Sequence, residues 1–191
     1  MTETDTAESG RTRDWSRGTA FSWGLAEATF FFIVPDVFLT RLALRDFCRV
    51  AAASAWAVAG ALVGGSGLWL AARHGDAGAL PRLFERLPGI NAGLVERSGD
   101  ALGQQGLAAL FMGVLRGYPF KLFAVHAGAG NGPFLAFLAA SAGARFFRFT
   151  AAITVASTAG RALGRRSVAL RYWAHAAFWL TFYAAYFLAM R

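Results

Sequence analysis

Cysteine is nearly absent. Cys48 is the only one, which excludes an intrachain disulfide and any metal site built on several thiolates. Charge is scarce as well. Charged residues make up 16% of the chain and hydrophobic residues 56%, against about 25% and 45–50% in ordinary soluble domains. With a mean hydropathy of +0.42, that balance points to a single-domain integral membrane protein. Acids are fewer than bases, 11 against 19, for a net charge of +8. The arginines sit between or inside apolar runs rather than along one polar face, and no nucleic-acid fingerprint appears. Nucleic acid is therefore not an expected partner, and the basic excess reads as loop topology and contact with anionic lipid. Paired metal-binding carboxylates, a nucleophile elbow and a histidine-pair motif are all missing. His74, His126 and His175 each stand alone in the sequence. The expectation is no metal, no cofactor and no enzyme, for want of a nucleophile–base pair.

What is present is a run of apolar blocks interrupted at particular places. Residues 1–18 are polar and mixed in charge. They lack the basic-then-apolar order of a cleavable signal and predict a disordered tail. Residues 19–44 form the first apolar block, with Glu27, Pro35 and Asp36 in its middle. The uncharged run between the two acids is too short to cross about 30 Å of hydrocarbon, and Pro35 breaks a helix near Val34. A re-entrant hairpin turning at Val34–Asp36 accounts for both facts; a kinked spanning helix with its acids near an interface is the alternative. Residues 50–72 are uncharged and long enough to span. Their Gly60 and Gly64 make a small-xxx-small pair, read here as tight packing inside the molecule. Arg73–Asp100 is the longest polar stretch, and its residues 76–100 are expected to form a surface loop with a short amphipathic helix over Leu80–Leu87.

Residues 101–130 repeat the first block's pattern. An apolar run reaches Arg116, Gly117 and Pro119 interrupt it, Lys121 follows, and a glycine-rich bend begins at Gly128. A helix over 133–160 carries Arg145 and Arg148 three residues apart, hence on one face. Intramembrane arginines normally face a polar interior; snorkelling to an interface is the alternative. The basic loop Arg161–Arg171 is expected to be cytoplasmic, and residues 172–190 to form the last spanning helix. The fold class expected is an all-α integral membrane protein. Two opposed, Pro/Gly-broken re-entrant hairpins in an inverted-repeat-like arrangement are joined to spanning helices and one surface helix.

The pieces EATFFFIVPDVFL, GALVGGSGLWLAAR and RGYPFKLFAVHAGAGNGPFLAFLAASAGARFFRF resemble the DedA superfamily, also called VTT or SNARE-associated, and within it the small YqaA-like branch. The resemblance runs from about Ala20 to Gly160. It rests on Glu27, Pro35 and Asp36; Gly64 and Gly65; Pro119 and Lys121; Gly128; and Arg145, Arg148 and Phe149, taken in that order. It implies a multi-pass protein of a bacterial inner membrane with two re-entrant hairpins facing each other. It further implies movement of lipids or lipid carriers between leaflets, in some relatives coupled to the proton gradient.

If Arg116, Lys121, Arg145 and Arg148 share one cavity with Glu27 and Asp36, positive charge is left over. An anionic headgroup or a polyprenyl phosphate would balance it, since guanidinium groups match phosphate oxygens. Desolvation favours the protonated carboxyl, which offers a route to proton coupling through Glu27 and Asp36. Other solute or ion transport, and charges that merely pin the hairpins, are the competing readings. A homo-oligomer is left open.

Overall fold

The computed structural model describes residues 3–76, 78–162 and 168–189, and among them every regular element is helical. α1 (Glu3–Thr29), α2 (Asp36–Ala43) and α3 (Phe47–His74) form the first half. α4 (Ala79–Phe84) and α5 (Ala92–Gln105) form a connection. α6 (Ala109–Arg116), α7 (Phe120–Ala129) and α8 (Phe134–Ala162) form the second half, and α9 (Val168–Ala189) closes the chain. Among the described residues one helix, Arg49–His74, is long and apolar enough to cross a membrane by length and composition.

Each half is a helix, a break, a short helix and a long helix. The first break spans Phe30–Pro35, where Pro35 (φ −59°) stands just ahead of α2. The second break is shorter. Gly117 takes a left-handed conformation (φ +73°) that ends α6, and Pro119 stands just ahead of α7. After each break the chain turns back. Phe38 of α2 stacks on Trp23 of α1 at 6.0 Å, and the Phe123 ring of α7 lies against Gly113 of α6.

Small residues let the long helices come close. A Cβ on Gly24 would sit 2.1 Å from the Ala57 carbonyl oxygen, and one on Gly60 would sit 2.0 Å from that of Phe21. Gly64 faces Leu25 and Ala28 in the same way, so α1 and α3 run parallel with their backbones nearly touching. The Gly60/Gly64 pair thus packs within the molecule, as its spacing predicts. α8 runs antiparallel to α3: Phe134 meets Trp69 at one end, while Phe149 and Ile153 join Val50 and Ala53 at the other.

Several boundaries differ from the sequence-based expectation. The tail expected to be disordered over 1–18 is helical from Glu3 onward and continuous with α1. Once the apolar part nucleates a helix, extension upstream is cheap, and acids preceding arginines is the order a helix dipole favours. The second hairpin starts at Ala109, not 101, because residues 92–105 are a helix of their own. Asn91 caps that helix by accepting a hydrogen bond from the Leu94 amide at 2.8 Å. Leu94, Val95, Ser98 and Ala101 form its buried face. Three glycines and two glutamines dilute that apolar period. Asn91→Ala should lower stability by about 1 kcal/mol, read as a lower melting temperature in detergent; an unchanged melt would mean that the cap does not hold α5. α4 ends at Phe84, short of the helix expected to reach Leu87, because Glu85–Leu87 form a turn. Within the expected cytoplasmic loop Arg161–Arg171, residues 163–167 lie outside the described residues, as does Met190 of the expected last span.

Candidate functional site

The two breaks meet. Lys121, the second residue of α7, reaches across and donates from Nζ to the Phe31 carbonyl oxygen at 2.8 Å. Two further backbone groups of the first break are also satisfied by side chains. Trp23 Nε1 donates to the Ile33 carbonyl at 2.9 Å, and Tyr183 Oη of α9 accepts from the Val34 amide at 2.9 Å. Buried non-helical backbone persists only when its donors and acceptors are paired in this way.

The acids flank this junction. Glu27 lies in the last turn of α1 and Asp36 opens α2; they are 5% and 3% exposed. Each is paired by the same helix. Arg145 Nη2 lies 2.7 Å from Glu27 Oε2, and Arg148 Nη2 lies 2.8 Å from Asp36 Oδ2. The i,i+3 spacing on α8 is what lets one helix serve both acids. The Arg145 pair is at contact distance but out of hydrogen-bond alignment, and Arg145 Nε meets no acceptor in the described protein. Instead the guanidinium lies over the Phe120 ring, 4.1 Å from its centroid. That ring needs the space left by Gly65, where a Cβ would come within 2.7 Å of it.

Beside the pairs opens a cavity of about 190 Å³. The two breaks, the Leu87–Ile90 turn, Arg148, and Tyr183 and Tyr186 of α9 wall it in. Glu27 and Lys121 line it as well. Arg148 is the most accessible member of the ion pairs, its side chain 27% exposed. The N-terminal turn of α7 also faces the cavity, through Pro119, Phe120 and Lys121, and carries the partial positive charge of its unpaired amides. Asp36 complements the start of α2; no acid opens α7.

The site residues expected from sequence are therefore not all together. Glu27, Asp36, Lys121, Arg145 and Arg148 converge. Arg116 does not: it is exposed at the end of α6 and lines no part of the cavity. The left-handed Gly117 after it reverses the chain and leaves it outside. The acids face the bases of α8 rather than an opposing pair at the second tip, with Lys121 alone arriving from there. Pro35, Gly117 and Pro119 mark the breaks, but Gly128 does not. It lies inside α7 against the α3 backbone, where a Cβ would be 2.2 Å from the Trp69 carbonyl oxygen. Phe120, Trp23 and Tyr183 were missed. They hold Arg145 and the first break from positions that carry no local pattern, so nothing short of the packing identifies them.

His126 is half-buried, its Nε2 3.0 Å from the Val95 carbonyl oxygen. His175 Nε2 lies 2.9 Å from Thr40 Oγ1. Among the described residues no three His, Cys, Asp or Glu side chains gather to hold a metal ion. Set against family models, curated proteins and solved structures, the chain matches none.

Proposed function

We propose that this is a multi-pass membrane protein whose two broken hairpins are re-entrant. Together they form an inverted-repeat site that moves an anionic lipid, or a lipid phosphate, between leaflets without enzymatic chemistry. The direction of the helices supports the repeat: α1 parallels α3, the two long helices α3 and α8 are antiparallel, and each half is broken at a matching place. Membrane residence is supported by the surface. Leu135, Phe146, Phe147 and Val155 on α8, and Trp173, Phe178, Leu180 and Leu188 on α9, are all more than half exposed. Apolar exposure on that scale is rare on a soluble monomer and fits a surface covered by lipid. Arg148 stands at the midpoint of α8, about 20 Å from either end at ~1.5 Å per residue, which supports a cluster at mid-depth if α8 spans the bilayer.

One observation carries the reading. Both acids are committed to arginines, while Lys121 is buried and bonded to a neutral carbonyl. Three cations against two carboxylates leave one positive charge at the cavity wall, reinforced by the start of α7. A phosphate entering there bonds Lys121 and Arg148, and in doing so competes with Asp36. Asp36, displaced from its arginine, is the group through which movement would couple to a proton. This keeps with the resemblance to the DedA superfamily, carried by the same residues.

The test is leaflet exchange in phosphatidylglycerol vesicles containing purified protein and a fluorescent phosphatidylglycerol. Wild type should accelerate exchange over protein-free vesicles. Arg148→Gln and Lys121→Met should each lower the rate roughly tenfold or more, the scale of one charge-assisted hydrogen bond. Arg116→Ala should leave it unchanged. Normal exchange in the first two variants, with unaltered melting, would mean that the charges only pin the hairpins. Exchange indifferent to an imposed pH gradient would remove the proton.

A further inference from the structure

A second cavity, of about 440 Å³, lies between the C-terminal half of α8 and the N-terminal half of α9. Ala151, Val155 and Ala159 form one wall, Phe178 another, and Leu44 closes it beyond α2. Its polar groups are few. Thr40, His175 and Trp179 satisfy one another: Trp179 Nε1 donates to Thr40 Oγ1 at 3.2 Å and lies 3.1 Å from His175 Nε2. Arg171 remains, at one end, its Nε buried with no acceptor in the described protein. The next residue, Tyr172, holds two more guanidinium groups over its ring, those of Arg41 at 5.0 Å and Arg45 at 5.2 Å. Among the described residues none of these three arginines pairs with a carboxylate; nearby Asp46 is taken by Arg49 at 3.2 Å.

We propose that this groove binds one anionic phospholipid, its acyl chain along α8 and α9 and its phosphate against Arg41, Arg45 and Arg171. The two ends of the cavity match the two ends of that molecule. An elongated apolar trough accepts a hydrocarbon chain. Three unpaired guanidiniums, two of them oriented by an aromatic ring, accept phosphate oxygens in bidentate fashion. Tyr172 and Trp173 stand where aromatic residues mark a headgroup region, so the trough descends from the interface toward mid-bilayer. A second copy of the chain fits less well, because the three arginines call for an anion and the chain carries a net charge of +8. The site is separate from the cavity between the breaks. It requires membrane residence but not transport: a protein that retained lipid here and moved none would still uphold it.

Native mass spectrometry of the purified chain in micelles doped with equal phosphatidylglycerol and phosphatidylcholine tests the assignment. Wild type should retain one phosphatidylglycerol in clear preference to phosphatidylcholine. Each of Arg41→Gln, Arg45→Gln and Arg171→Gln should reduce that preference, by up to about fivefold per neutralised arginine, and the triple variant should abolish it. Arg171→Lys should retain part of it. Ala159→Phe, at an exposed position on the groove wall, should lower retention of both lipids while leaving the melting temperature unchanged. The proposal is overturned if wild type shows no preference, or if the triple variant keeps it. It is likewise overturned if Ala159→Phe retains lipid as wild type does, or if the groove is covered by a second chain and a lipid-free dimer is the species seen.

Discussion

Arg145→Met is expected to cost about 3–5 kcal/mol of stability, because it leaves Glu27 as a buried carboxylate without its counter-charge. Both side chains are almost wholly enclosed, 4% and 7% exposed, so water cannot replace the lost partner. The arginine's plane also covers Phe120, and methionine keeps only part of that contact. Glu27→Gln should be costly for the mirror-image reason, with a buried guanidinium left over. The double variant Glu27→Gln/Arg145→Met removes both charges and should recover most of the loss, since replacing a whole buried pair is often close to neutral. Thermal or denaturant unfolding in detergent reads all three. A single substitution costing less than about 1 kcal/mol, the range of exposed pairs, would show that water reaches this pair. The cycle also separates stability from activity: a double variant that melts like wild type and exchanges lipid normally would confine the pair to holding α1 against α8.

Gly60→Leu should also be damaging, by sterics rather than charge. The Cβ alone would fall 2.0 Å from the Phe21 carbonyl oxygen, a backbone atom that no rotamer change moves aside. α1 and α3 must then separate along their whole contact, and overpacking of this kind costs roughly 1–3 kcal/mol or more. Separation would also displace Glu27, which sits on the same turns of α1 and must meet Arg145. The variant should therefore lose stability and lipid exchange together. Gly67→Leu, on the same helix with open space at its Cβ, is the matched control and should behave as wild type. Equal melting temperatures for the two variants would mean that the helices do not approach as closely as the backbone shows.

Much of the fold was legible because it follows from single residues acting on their own backbone. Pro35, Pro119 and Gly117 dictate where helices stop whatever surrounds them. An i,i+3 spacing puts Arg145 and Arg148 on one face in any helix. The small-residue spacing of Gly60 and Gly64 announces a close approach. What failed were readings that need a neighbour. Gly128 looks like another hinge in sequence, and only the passage of α3 beside it makes it a packing position. Arg116 looks equivalent to Lys121, yet the reversal at Gly117 sends one outward and the other to the Phe31 carbonyl. α5 was hidden because glycines and glutamines blur its period until Leu94 and Val95 find the surface they bury against.

Composition and local chemistry thus determined that the chain is helical, that it breaks twice, and that acids lie near the first break and bases near and beyond the second. Which base meets which acid was decided only by tertiary structure. The antiparallel course of α8 against α3 carries two arginines past both acids at once, and the crossing of the breaks gives Lys121 a carbonyl instead of a carboxylate. The reason is physical: a backbone torsion depends on one residue and its neighbours in the chain, whereas a charge selects its partner by distance, and distance is set by how the helices pack.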